Sequence, residues 1–560
     1  AVLKSPVAPV QVFAAQAGAT GDFNTATNWD NGAVPSGAAA TFSASGTTAV
    51  NVSANTSVTT LSFLAGSQAY TFTTGTGVTL TVSTINNLNT ASAETFSGQL
   101  ALTGASIKGA VGSTTIFDAN SNLTLSGASV NVAVGGGSNA GSVYINGAVT
   151  LGAGNYINFN ATSTSTLYYN AANQTNIGAG AYLSVGDANN TSAGGVLELM
   201  QSFAGSSGIQ MVGYNVSNTG NRTANAYLGA AGLNNASTVT MAQRAGSVST
   251  QNYVNSYFGS NIAGTASTQQ SGAITLATAA SYCTSTINFD VQNANTMTIS
   301  GAITSGTTTG TGSSVTVNKI GTGTLILSNA NNQLGSIGLN VTGGLLLNNG
   351  ATTVGAVNVN GASGAARAAL GGTGTLNASG VTLGAFGGIN VSGGGAVPLF
   401  SGGTVGPGTL TLNLGSGSLD MSAVAGSGAG ELTFVLGSVS DKVKLSSATS
   451  TLVLGSGLLG IADFNLIAGS GFGAGTYILF DTASAGGISG SLAGSGLSVT
   501  ANGYTYTLFQ GTDASGFADI GVTVAAAVPE PGTLALLLLG GGVALGAASL
   551  RRRTAVAQGS

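Results

Sequence analysis

A short phrase recurs along the chain: glycine or asparagine, then Thr or Ser alternating with Leu, Ile or Val, then glycine or asparagine again. It appears as GVTLTV from Gly77, NLTLSG from Asn122, GAVTLG from Gly147 and GAITLA from Gly272. It returns as MTISG from Met297, GTLILS from Gly323, GLLLNN from Gly344, GTLTLNL from Gly408 and STLVLG from Ser450. Alternation over four to six residues is the period of a strand that buries one face. The bounding Gly and Asn residues supply turn conformations. The pairs Asn146-Gly147, Asn349-Gly350, Asn360-Gly361 and Asn502-Gly503 mark tight turns. No helical period of useful length precedes residue 532. The strands therefore pack on one another, and the pattern predicts an all-β protein.

Spacing favours a stacked coil in the middle of the chain. Leu325 to Leu345 reads as one turn of 20 residues. At about 20–25 residues per turn, the coil would form a rod on the order of 100 Å long. Asn side chains are expected to form ladders along its axis. The reading divides the chain into a leader remnant or linker (1–20), a strand-repeat solenoid (21–400) and a β segment (401–524) that continues the coil or forms a sandwich. A C-terminal signal follows (525–560). Ala15-Gln16-Ala17 fits a small-x-small cleavage box within the first of these.

The C-terminus reads VPEPGTLALLLLGGGVALGAASLRRR from Val528 to Arg553. Pro531 to Leu550 carries no charge, so a helix over 532–550 is long enough to cross a bilayer. Arg551, Arg552 and Arg553 stop it on the cytoplasmic side and leave the body outside.

The order of Pro529-Glu530-Pro531, apolar span and arginine cluster resembles the PEP-CTERM sorting signal. The resemblance implies an exosortase-like partner, recognition through Pro529, Glu530 and Pro531, and a transient membrane anchor. The stretch from Lys319 to Asn332 (KIGTGTLILSNANN), followed by Gly343 to Leu347, resembles one autotransporter-associated β-strand repeat. That resemblance implies a right-handed parallel β-helix. FNTATNWDNGAVP, from Phe23 to Pro35, resembles the opening of the same class of surface proteins.

Composition narrows the chemistry. The 560 residues include 91 Gly, one Cys and no His, and only 5% are charged. Without histidine, Ser–His and Cys–His nucleophiles and ordinary zinc sites are excluded. With a net charge of −4 and no basic run in the body, nucleic acid is not an expected partner. No cofactor is expected. Asp513 and Asp519 are the nearest acid pair and have no base close in sequence. Tyr168, Tyr169, Tyr504 and Tyr506 are candidate sugar contacts, Tyr504 and Tyr506 sharing a face by strand parity. These features predict a non-catalytic exported surface or biofilm-matrix protein that contacts exopolysaccharide or itself. The alternative is a carbohydrate-binding or polysaccharide-degrading β-helix.

Overall fold

The computed structural model describes residues 11–13, 21–43, 47–110, 112–126, 129–132, 141–159, 165–186, 195–215, 221–245, 252–276, 283–306, 314–364, 366–393, 406–424, 431–457 and 459–527. Among them the alternating segments become short strands, and neighbouring turns of the chain pair in parallel, register by register. Sheet one has 24 strands, sheet two 17 and sheet three 9. The result is a parallel β-solenoid: all-β as the alternation and the absence of helical periods predict, and coiled as the spacing in the middle of the chain predicts.

The cross-section changes along the axis. Near the start, Thr79–Asn87 and Gln99–Gly109 are long unbroken strands of sheet one. The next turn holds Asn122–Ser126 and Ser129–Val132, both still paired to Gln99–Gly109. One turn further, Ala148–Leu151 and Tyr156–Phe159 are separate strands with a turn at 152–155 between them, and a third side opens. Its column runs through Ala148–Leu151 and Asn173–Ile177. Gln174 Nε2 then donates to Ser202 O (2.7 Å) and Ser202 Oγ to Asn235 Oδ1 (3.0 Å), reaching the first strand of sheet three.

Inward residues form one continuous core along the axis. Phe72, Phe96 and Phe117 stack through three successive turns with ring centroids 5.1 and 5.5 Å apart. Each fully buried Leu, Val, Ile or Phe contributes about 1.5–3 kcal/mol, so stability accumulates turn by turn. The first turn is closed by aromatic rings. Trp29 packs edge-on against Phe13 and Phe23, and its Nε1 donates to Phe23 O (2.8 Å). Gln11–Phe13 pairs with Ala39–Phe42, so this part of the expected leader is built into the coil. The cleavage box Ala15 to Ala17 lies outside the described residues.

Polar residues stitch the turns together. At a buried corner Asn235 Nδ2 donates to Gln270 Oε1 (2.7 Å), and Gln270 Nε2 to the carbonyls of Ser237 and Gly272 (2.8 Å each). On the outside of sheet two, Asn318 donates to Asn288 (3.0 Å), Asn340 to Asn318 (3.0 Å) and Asn358 to Asn340 (3.1 Å). The predicted asparagine ladder therefore exists. Its steps are 30, 22 and 18 residues.

The turn length is thus not constant, rising to 36 residues between Asn377 and Asn413 and 43 between Ile389 and Leu432. Longer turns mean fewer of them. Seventeen strands spaced about 4.8 Å apart make a stack on the order of 80 Å, the scale expected from the sequence. The register at the 20-residue step also differs by one. Leu325 pairs with Leu346, and Leu345 with Thr324. Gly344, at φ 63°, opens the strand that carries Leu345 and Leu346. Leu346 joins the main core, whereas Leu345 and Leu347 form a small second cluster with Ala369 on the other side of sheet three.

Of the four Asn-Gly pairs, only Asn502-Gly503 is a hairpin turn. Its φ angles are 53° and 77°, and it joins Ser498–Ala501 to Tyr504–Thr512 in antiparallel pairing. Gly350 serves a different need. A Cβ there would overlap the carbonyl oxygen of Asn329 on the turn below. Gly350→Ala is expected to cost about 1–3 kcal/mol in denaturant unfolding. Gly473→Ala, where a Cβ meets open space, should leave the midpoint unchanged.

Parallel pairing continues through Leu432–Leu436, Phe464–Ala468 and Ile488–Ser491, so most of the segment after residue 401 is further coil. The coil ends in an antiparallel cap. Gly475–Asp481 pairs with Ala518–Ala526, that strand with Tyr504–Thr512, and that one with Ser498–Ala501. The cap extends sheet one and is not a separate sandwich, because Gly475–Asp481 is also paired to Lys442–Leu445 of the coil. No helix among the described residues is long and apolar enough to cross a membrane, and the expected span 532–550 lies outside them.

Candidate functional site

Two places gather aromatic and acidic side chains. The first is a single outward column on sheet two. Register places Tyr144, Tyr168, Glu198, Tyr227, Gly259 and Asp290 above one another on successive turns. Tyr144 and Tyr168 lie face to face, 4.3 Å apart and 5° from parallel. A matching pair, Tyr156 and Tyr182, stacks at 4.7 Å on sheet one. Such stacking consumes the ring faces that a sugar would need and leaves edges and hydroxyls toward solvent.

Further along the column the polar groups satisfy each other. Gly259 has no side chain, and a Cβ there would overlap the Asp290 carbonyl oxygen. Across this gap the Tyr227 hydroxyl donates to Asp290 Oδ2 (2.9 Å), which also accepts from Gln292 Nε2 (2.7 Å). Glu198 Oε1 accepts from Asn261 Nδ2 (2.6 Å). Burial pushes the Glu198 carboxyl above its ordinary range, and the Asn261 bond partly offsets this. Burial and the Asp290 charge raise the Tyr227 phenol. The column is a buried polar seam rather than an open cleft.

Lys319, inward-facing on the strand beside Asp290, is fully buried. Its Nζ donates to the carbonyls of Ile320 (2.7 Å), Gly321 (2.9 Å) and Gly343 (2.9 Å). Burial pushes its ammonium down to about 7, opposed by Asp290.

The sequence-predicted tyrosines separate by position. Tyr168 faces outward in the column. Tyr169, its neighbour, points into the core, fully buried with its hydroxyl on Gln174 Oε1 (3.0 Å). It is out of reach of an external sugar, because successive strand residues face opposite sides. Tyr504 and Tyr506 do share a face, but they pack against Phe472, with ring centroids 5.1 and 6.2 Å away, and Tyr506 is only 7% exposed. Tyr506 lines one wall of a cleft of about 220 Å³ with Phe464, Leu466, Val499 and Asn502.

The second gathering is in the cap. Antiparallel return places Asp519 directly opposite Asp481, and Lys442 Nζ donates to Asp481 Oδ2 (2.9 Å). Asp513 instead closes its own turn, accepting from the backbone of Ser515 and Phe517. Sequence proximity had pointed to Asp513 as the partner; strand register supplies Asp481. Asp519 is 2% exposed, and its Oδ1 has no hydrogen-bond partner among the described residues. Burial, then Asp481 and Asp513, push its carboxyl up to about 6. The folded state thus holds a proton that the unfolded chain has lost between about pH 4 and 6. That stabilising term is complete below pH 4 and lost as pH rises through 6. Asp519→Asn should raise stability by about 1–3 kcal/mol at pH 7 and change nothing at pH 4, read from unfolding midpoints at both pH values. No three His, Cys, Asp or Glu residues among the described residues gather as a metal-binding set.

The sorting residues Pro529, Glu530 and Pro531 and the arginines Arg551, Arg552 and Arg553 lie outside the described residues. The last described strand ends at Ala526, and Ala527 N donates to Gly503 O (2.8 Å), one residue before Val528. Residues 527–553 match the PEP-CTERM protein-sorting motif. No curated protein matches the chain. The motif marks an exported protein directed to the cell surface and recognised by an exosortase-type sorting enzyme.

Proposed function

We propose that the chain is a non-catalytic structural or adhesive component of the cell surface or biofilm matrix. Its coil carries uncharged hydroxyl and amide side chains outward and is released or attached through the sorting signal. The observation that carries the reading is the outer column of sheet one. Register aligns Asn158, Ser184, Gln210, Thr240, Thr275 and Thr304 on successive turns, and Gln333, Thr353, Asn377 and Asn413 continue it. Ten uncharged polar groups in a row suit repeated hydrogen bonding to a polymer of hydroxyls. The acids that hydrolysis would need are held by internal partners at Glu198 and Asp290. The resemblance of residues 319–347 to autotransporter-associated repeats supports the same reading and implies a right-handed coil. The anchor that the motif implies is a helix over 532–550 with its arginines in the cytoplasm.

A second reading, polysaccharide binding at tyrosine edges and hydroxyls, draws on the half-buried Tyr144–Tyr168 and Tyr156–Tyr182 pairs. The test is incubation of the purified protein with exopolysaccharide from its native cells. Co-sedimentation without any change in polymer length is expected. New reducing ends would overturn the non-catalytic reading. Absence of co-sedimentation, with unaltered matrix cohesion in cells lacking the chain, would overturn the structural one.

A further inference from the structure

The C-terminal cap is polarised along its strands. At one end lie Asp481, Asp513, Asp519 and Lys442. At the other end lie the Gly469–Gly475 loop, the Asn502-Gly503 turn and Ala525 to Ala527, which carry no charge. Strands of seven and nine residues separate the two ends by about 20–27 Å. The uncharged end presents a half-buried aromatic group. Phe472 packs on Tyr477 (6.1 Å) and Tyr504 (5.1 Å), beside the cleft where Val499 is 45% exposed. The chain also leaves the cap at this end, with Ala527 pinned to Gly503.

From Ala527 to the uncharged run that opens after Pro531 is a reach of at most about 18 Å, even fully extended. The apolar run is long enough to enter a bilayer. A folded cap so tethered is held within reach of the headgroup region, where Tyr, with an apolar body and a polar tip, is a favoured side chain and Phe472 adds apolar surface. We propose that the aromatic exit end of the cap, centred on Phe472, Tyr477 and Tyr504, rests on the lipid surface while the uncleaved precursor is anchored. The charged end faces away from it. The proposal rests on the reading of residues 532–550 as a membrane span. Such docking would hold Pro529 to Pro531 at a fixed height above the membrane, where a membrane-embedded sorting enzyme meets them.

The test uses the full chain in a Cys283→Ser background. Gly473→Cys at the exit end, where a Cβ meets open space, or Ser515→Cys at the charged end carries an environment-sensitive fluorophore. The protein is reconstituted in phosphatidylcholine vesicles and quenched with iodide from the water or with lipids brominated near the headgroup. The label at 473 should be quenched by brominated lipid at least about threefold more than the label at 515. The difference should be insensitive to salt, since no charge carries it. Adding Phe472→Ser and Tyr504→Ser should bring position 473 to the level of 515. Equal iodide access at both positions in vesicle-bound protein overturns the docking and leaves the span intact. Protein that does not cofractionate with vesicles overturns the span itself, and the docking with it. Protection of position 473 that appears only when the sorting enzyme is added also overturns the proposal, because the face then belongs to a protein contact.

Discussion

Replacing Pro529, Glu530 and Pro531 with alanine is expected to hold the chain in the membrane fraction as an uncleaved precursor. The surface-released fraction should fall at least about tenfold, the scale on which an enzyme site built for particular groups rejects a chain lacking them. The apolar run and Arg551 to Arg553 are untouched, so on the proposed reading of that run as an anchor, export and anchoring should proceed and only recognition should fail. Fractionation with an antibody to the coil, and mass analysis of the membrane-bound species, check this. Release of the variant at the normal rate would show that another part of the chain is read.

Arg367→Ala should produce the largest loss of stability, about 3–5 kcal/mol. Arg367 Nη1 meets Glu431 Oε1 at 2.6 Å, with the two side chains 7% and 0% exposed. The pair joins segments 64 residues apart and so ties separate turns of the coil. Truncating Arg367 takes its guanidinium away from the buried Glu431 carboxylate. Arg367→Met together with Glu431→Leu should recover most of the loss, because the desolvation cost of both charges disappears as well. Lys442→Ala is the control: its pair with Asp481 is 32% and 19% exposed and should cost no more than about 1 kcal/mol. Chemical denaturation of the four proteins separates these outcomes.

Much of the architecture was legible because strand alternation is local. GTLILS from Gly323 and NLTLSG from Asn122 form the strands Thr324–Leu327 and Asn122–Ser126 that their alternation predicts, and Asn502-Gly503 is the hairpin turn its residue types demand. Register was not legible, because it depends on the length of each corner. Steps of 30, 22 and 18 residues hide the ladder from any fixed period. The partner of Leu325 is Leu346 and not Leu345, one residue off the 20-residue period. The polar seams were invisible for the same reason. Tyr227 with Asp290 and Arg367 with Glu431 are 63 and 64 residues apart and meet only through stacking of the turns. The opposite orientations of Tyr168 and Tyr169 could have been read from strand parity alone. The burial of Tyr506 could not, because Phe472 and the cleft come from a different part of the cap.

The most direct test of the account is the intact mass of the protein recovered from the native cell surface. A chain ending near Pro529 to Pro531, with any added mass carried by the body, is the predicted result. A full-length mass that retains Arg551 to Arg553 would contradict processing at the motif and make the chain a permanently anchored surface solenoid.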